Sequence, residues 1–218
     1  TGAGKTLTAI MDAKRVFETA TTHKTIVIVA PRILLAEQLC SEFLEVIQRN
    51  DVHVMHVHSG ETHFTSTTKA EKIHLYASCA RSMGENVIIF TTYHSLHRVQ
   101  EADIEVNTIY FDEAHNSVQR HFFPATEYFS HKADRCYYFT ATRKTSITIN
   151  KPGMNDVQVY GNIICRVSAP ELVDGGYILP PKVKVIEMDK VDRQSITPHL
   201  ESNNILSTID EVGTKKVL

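Results

Sequence analysis

Gly4, Lys5 and Thr6 close the opening run TGAGKT, and these residue types in this order can hold a chain of phosphates. Phosphate oxygens need several converging N–H donors. Gly2 and Gly4, with Ala3 between them, let the backbone come close. Lys5 adds a point charge, and the Thr6 hydroxyl can join the shell of a Mg²⁺ ion. The full pattern is G-x-x-x-x-G-K-[ST], so its leading glycine would stand two residues before Thr1. A second set lies far downstream in YFDEAH, residues 110–115. An apolar stretch ends there and two carboxylates follow. Side chains alternate along an extended chain, so Asp112 can meet a metal while Glu113 meets a water. Mg²⁺ takes few protein carboxylates, plus phosphates and waters. A carboxylate that orients or deprotonates water meets the remaining need of phosphoryl transfer to water. Singly, the first run also reads as a glycine-rich turn and the second as an acidic turn after a buried strand. Together, several strand–helix units apart, they point to hydrolysis of a nucleoside triphosphate.

These residues need a scaffold, and the apolar pattern describes one. Short β-branched and aromatic runs predict buried strands at 25–30, 52–57, 86–92, 107–112 and 135–141. Helical patterns lie between them. Residues 5–20 place Leu7, Ile10, Met11 and Val16 on one face, and 32–48 repeat Leu35, Leu39, Phe43 and Ile47 at four-residue spacing. A third helix is expected near 68–82. Alternating strands and helices, with strands apolar throughout, predict an α/β fold with a mainly parallel sheet covered by helices on both faces. Beyond residue 142 the pattern weakens. A loop is expected over 150–162, a short helix within 168–181 stopped by Gly175 and Gly176, and a strand at 182–188. A helix, a turn and the start of a strand are expected over 205–218.

Composition excludes more than it selects. The chain has 218 residues, 42% hydrophobic and 22% charged, with a net charge of −2. No strongly basic surface announces nucleic acid, so that reading must rest on local motifs. Cys40, Cys79, Cys136 and Cys165 are widely spaced without a C-x-x-C pair, which fits free buried thiols in a reducing compartment. No apolar run approaches a membrane span and no signal peptide is seen, so an intracellular setting is expected. His53, His56, His58 and His63 cluster, yet only Glu61 stands near to complete a metal site. The histidines are therefore read as ordinary surface and strand-end positions.

Five stretches in order carry a family resemblance: TGAGKT, APRILLAEQ (30–38), TTYHSL (91–96), DEAH (112–115) and TAT (140–142). They resemble motifs I, Ia, the T-x-x-x-L-containing motif, II and III of superfamily 2 nucleic-acid-dependent ATPases, the DEAD/DEAH helicase group. YGNIICRVSAPELVDGGYILPPKVKVIEM (160–188) is similar to the connector of the type I/III restriction-subunit, or Res-like, branch. The resemblance implies a RecA-like P-loop NTPase domain over 1–165 without its first strand, a connector over 166–204, and the start of a second RecA-like domain over 205–218. It implies ATP and Mg²⁺ as cofactors. Gly2, Ala3, Gly4, Lys5 and Thr6 would cradle the nucleotide, Thr6 and Asp112 would hold Mg²⁺, and Glu113 would be the catalytic base. His115, Thr140 and Thr142 would couple the nucleotide site to motion and to nucleic acid. Pro31, Arg32, Thr91 and Thr92 would grip the nucleic-acid backbone.

The pattern departs from the DEAD-box RNA group in two places. Arg32 follows Pro31 directly where that group carries Pro-Thr-Arg, and the box ends in His115. Both departures point to DNA over RNA. The implied function is an ATP-dependent helicase, or a translocating motor of a restriction-type complex that does not separate strands. A degenerate nucleotide-binding module would have lost Lys5, Asp112 or Glu113, and all are present. The sequence is expected to begin inside motif I and to stop as a second domain begins. Such a fragment would hydrolyse ATP poorly, because the arginine completing the site would come from that second domain.

Overall fold

The computed structural model of the chain describes residues 3–148 and 151–180. They fall in two compact units, Thr1–Arg166 and Val167–Leu218. The first holds six strands, all parallel: β1 (Thr25–Ala30), β2 (Val52–Val57), β3 (Thr65–Ser66), β4 (Asn86–Thr92), β5 (Thr108–Phe111) and β6 (Arg135–Tyr138). Their order across the sheet is β3-β2-β4-β1-β5-β6. Helix α1 (Lys5–Thr19) leads into β1, and α2 (Ile33–Ile47), α3 (Ala70–Ser82), α4 (Leu96–Glu101) and α5 (Phe123–Lys132) lie between strands. A one-turn helix, α6 (Val157–Tyr160), follows.

Alternation along each strand divides the interior into two clusters. Val27 and Val29 of β1, Val87 and Ile89 of β4, and Ile109 and Phe111 of β5 point to one face. Ile26 and Ile28, Ile88 and Phe90, and Tyr110 point to the other, beneath α1 and α2. Both faces of the central strands are therefore buried, which is why these runs carry no polar alternation. Phe43 of α2 meets Phe90 edge-on at 5.7 Å between ring centres and lies 6.5 Å from Tyr110.

The expected strands are present, with β5 and β6 shorter than predicted. Asn107 lies outside β5 because its side-chain carbonyl accepts from Thr25 N–H at 2.9 Å. The predicted face of α1 is corrected: Leu7 and Met11 are exposed, and Ala9, Ile10, Ala13, Val16 and Phe17 are buried. Small alanines let α1 pack closely, and a reading that counts only large apolar residues misses them. In α2, Leu39, Phe43 and Ile47 are buried as expected, with Ala36 and Cys40 beside them and Leu35 at the margin. α4, α5, β3 and α6 were not foreseen. α4 has six residues with Leu96 and Val99 buried, too short for a periodic signal. The expected loop at 150–162 buries Met154, Val159 and Tyr160.

Two further expectations change. Cys79 and Cys165 are exposed, Cys136 is half-buried, and only Cys40 is buried. His56 and His58 are not surface positions: they are 1% and 2% exposed. Gly60 N–H donates to His58 Nδ1 at 3.1 Å, so His58 carries its proton on Nε2 and donates it to His56 Nδ1 at 3.0 Å. His56 lies between Phe90 and Phe64, at 5.5 and 6.0 Å. Gly60 admits no side chain, since a Cβ there would lie 2.7 Å from Ile33 Cγ2.

The second unit contains α7 (Ala169–Asp174), closed by a capping box between Ser168 and Glu171. Gly175 and Gly176 follow it, as expected, and Gly176 has a φ of 72°. The elements predicted at 182–188 and 205–218 lie outside the described residues.

Burial pushes the His56 imidazole down to about 4 from an ordinary 6.5, and His58 is pushed down as well. Between those two values the unfolded chain binds protons that the folded chain refuses. Folding stability should therefore fall as pH drops through that window and be unaffected above it. Urea midpoints across pH should show a shallower fall in His56→Leu than in the parent chain.

Candidate nucleotide site

Parallel strands end together, and the chemistry-bearing residues lie past those ends. α1 begins at Lys5 directly after Gly4, whose φ of 73° is a left-handed value that favours glycine. No side chain caps this helix and its first turn holds no acid. By contrast, α3 carries Glu71 in its first turn. The first N–H groups of α1 are thus left for an external anion, and the helix dipole adds to the attraction.

A cleft of about 540 Å³ opens here, and Gly4, Lys5, Thr6, Glu42, Asp112 and Glu113 are among its walls. The two sequence motifs are therefore brought to one place. Ala3, Leu7 and Ile10 also border the cleft, as do Glu45 and Val46 of α2. The α2 residues were missed, because nothing in their pattern separates them from a solvated helix face. Gly2 lies outside the described residues.

One bond ties the two halves of the cleft together. Tyr110 of β5 donates its hydroxyl to Asp12 Oδ2 of α1 at 2.7 Å, and Asp12 Oδ1 accepts from Arg15 at 2.5 Å. Tyr110 stands two residues before Asp112, and Asp12 two turns into the helix that Lys5 begins. This pair was also missed, since 98 residues separate its members.

The expected alternation at Asp112 and Glu113 is replaced by a different geometry. β5 stops at Phe111, and Glu113 is left-handed with a φ of 45°. That conformation costs a residue with a Cβ roughly 1–2 kcal/mol. Turn geometry, not strand alternation, separates the two carboxylates. Burial first, then the neighbouring Glu113 charge, push the Asp112 carboxyl above the usual carboxylate range, while Lys5 pulls it down. The Asp112 carbonyl accepts from the buried Tyr93 hydroxyl at 2.8 Å.

His115 joins the acidic turn to the TAT stretch. Its Nδ1 lies 3.3 Å from Glu113 Oε2 and 3.1 Å from Thr140 Oγ1. The Thr140 hydroxyl donates to the Thr142 carbonyl at 3.0 Å, so its oxygen can only accept from the ring. Nδ1 must then carry the proton. Glu113, His115, Thr140 and Thr142 form one connected chain.

The family model described as Type III restriction enzyme, res subunit, matches residues 1–145. The chain belongs to this family. No curated protein matches it. Among solved structures, this res-family chain is similar to a nuclease-deletion mutant of the Type ISP restriction-modification enzyme LlaGI in complex with a DNA substrate mimic. The TM-score is 0.70 at 22% identity, over 81% of this chain and 16% of that one. It is also similar to the ATP-dependent Type ISP restriction-modification enzyme LlaBIII bound to DNA. There the TM-score is 0.65 at 20% identity, over 80% of this chain and 14% of that one. The res-family fold is thus confirmed, and the chain spans a small part of the length of those two enzymes.

The four residues expected at nucleic acid divide into two pairs. Pro31 is half-buried, and Arg32 is exposed at the N-cap of α2 with no side-chain cap of its own. Thr91 and Thr92 are buried at the end of β4. The Thr91 hydroxyl donates inward to the Val57 carbonyl at 2.9 Å. In this geometry the Thr91 hydroxyl fastens β4 to β2.

Oxygen donors from Thr6 and Asp112 suit a hard cation such as Mg²⁺. Among the described residues, no group of three or more His, Cys, Asp or Glu is placed to hold a metal alone. A shared ion would need phosphate oxygens to complete its shell. Ionising Asp112 costs folding stability as pH rises from 3.8 to its raised folded value. Asp112→Asn should accordingly raise the thermal midpoint of the chain at neutral pH without nucleotide, read by calorimetry.

Proposed function

We propose that this chain is the ATP-binding motor domain of a restriction-type enzyme that moves on DNA. The observation that carries the reading is the shared cleft, where Lys5, Thr6 and the uncapped start of α1 meet Asp112 and Glu113. Gly4 and the N–H groups of α1 receive the phosphates, with Gly2 and Ala3 completing the cradle, and Lys5 meets their charge. Thr6 and Asp112 would hold Mg²⁺, and the ion would supply charge neutralisation at the phosphates. Glu113 orients the attacking water and accepts its proton. The cleft places Glu42, Glu45, Asp112 and Glu113 against Lys5, so a bare triphosphate would be repelled. The nucleotide is therefore bound as its Mg²⁺ complex.

His115, with Thr140 and Thr142, transmits the state of the nucleotide to the rest of the motor. Pro31 and Arg32, with Thr91 and Thr92 at the end of β4, are assigned to the DNA path. Arg32 supplies charge and the α2 start supplies N–H groups, the donors that sequence-independent backbone contacts use. Residues 1–165 are assigned to the first RecA-like domain, and the arginine for the γ-phosphate would come from a second such domain. These two solved neighbours are restriction-modification enzymes with DNA or a DNA mimic bound, which favours DNA as the partner of this motor. Among the described residues no helix is long and apolar enough to cross a membrane.

In the protein containing this chain, Lys5→Ala and Glu113→Gln should each lower DNA-stimulated ATP hydrolysis by about 10²–10⁴-fold. Glu113→Gln should still bind ATP, because the phosphate cradle is intact. Undiminished turnover in Glu113→Gln removes the base assignment. Triplex displacement without strand displacement would establish translocation, and efficient strand displacement would return the reading to helicase.

A further inference from the structure

The groups that hold Glu113 in its left-handed turn lie behind it, in the core. Asn116 donates to the Glu113 carbonyl from its backbone N–H at 3.0 Å and from Nδ2 at 2.9 Å. Ala114 N–H donates to the Phe139 carbonyl at 2.8 Å. Ser117, fully buried, gives its one hydroxyl proton to the Ala114 carbonyl at 2.7 Å. The Ser117 oxygen can then only accept from Tyr160, whose hydroxyl lies 2.8 Å away.

Tyr160 comes from 43 residues further along the chain and is 9% exposed. Its ring packs on Tyr138 at 4.9 Å, and Tyr138 stacks on Phe111 at 4.8 Å. The segment that delivers it is tied down just after the TAT stretch. Arg143 reaches the Met154 carbonyl with two N–H groups, at 2.6 and 3.2 Å. Met154 N–H donates to the Lys144 carbonyl at 2.7 Å, and the Asn155 side chain bridges Ser146 N and O at 2.8 and 2.9 Å. Contacts joined by short lengths of chain thus link Thr140 to His115 to Glu113 on the cleft side, and Arg143 to Met154 and Tyr160 to Ser117 on the core side.

We propose that Tyr160 and Ser117 are positioning residues that aim the Glu113 carboxylate, by fixing the Ala114 carbonyl and with it the turn that carries Glu113 and His115. Arg143, Met154, Asn155 and Tyr160 then brace the acidic turn from behind, next to the TAT stretch. Neither Tyr160 nor Ser117 lines the cleft, so neither meets the nucleotide. The inference rests on Glu113 being the base.

Tyr160→Phe removes the hydroxyl and keeps the ring on Tyr138, so the fold should survive. In the protein containing this chain, kcat for ATP hydrolysis should fall about 10- to 100-fold with KM for ATP unchanged. Ser117→Ala should fall by a similar factor, and the double variant no further than either. A second readout needs no ATP: the ¹⁵N signals of the His115 ring, which should report one tautomer in the parent and a mixture in Tyr160→Phe. If the parent hydrolyses no ATP while the His115 signals still change, the base reading fails and the brace stands. If Glu113→Gln is inactive while Tyr160→Phe changes neither kcat nor the His115 signals, the brace fails. Independent, multiplying losses in the double variant, or a KM that rises with the fall in kcat, would also overturn it.

Discussion

Parallel pairing is the constraint on which the rest of the molecule depends. Strands that run the same way need a crossover between each pair, and the crossovers occupy both faces of the sheet. The central strands must then be apolar on both sides, and their interior has no room for polar chemistry. What remains is the edge where all strands end. Ala30 leads to Arg32, Val57 to His58, Phe111 to Asp112 and Tyr138 to Thr140, at one end of one sheet. Ligands of open α/β sheets bind outside the carboxyl ends of the strands for this reason.

The cleft is assembled from parts distant in sequence, and polar bonds fix their relative placement. Tyr110 to Asp12 sets α1 against the strand that carries Asp112. Tyr93 to the Asp112 carbonyl sets the end of β4 against the same turn. Both hydroxyls are donated from buried rings, where an unmade hydrogen bond costs the full desolvation of the group. Each bond is therefore a strong statement about geometry even if its net contribution to stability is modest. The contrast with Arg98–Glu101 is instructive, because that exposed pair within one helix fixes nothing beyond the helix.

The sequence made the sheet legible because buried parallel strands are apolar without interruption, as in TIVIVA and NVIIFTT. Gly4-Lys5-Thr6 and Asp112-Glu113 were legible because each is a dense local pattern. Other features were hidden for physical reasons. α1 packs through Ala9 and Ala13, which carry little hydrophobic signal. The His56–His58 pair looked like surface because two histidines that satisfy each other can be buried where one could not. Ser117 and Tyr160 are ordinary residues whose meaning lies wholly in their contact. The turn that makes Glu113 left-handed depends on Phe139 and Asn116, and no local rule of alternation anticipates it.

With the role proposed for Glu113, its left-handed turn sets stability and chemistry against each other at one position. Glycine or asparagine would adopt a φ of 45° with less strain than the glutamate present. A library screened only for heat resistance would be drawn toward those residues at position 113, and every such gain would remove the carboxylate. Thermostable versions of this domain are better sought in exposed apolar residues away from the cleft, such as Leu75 and Met83 of the α3 region.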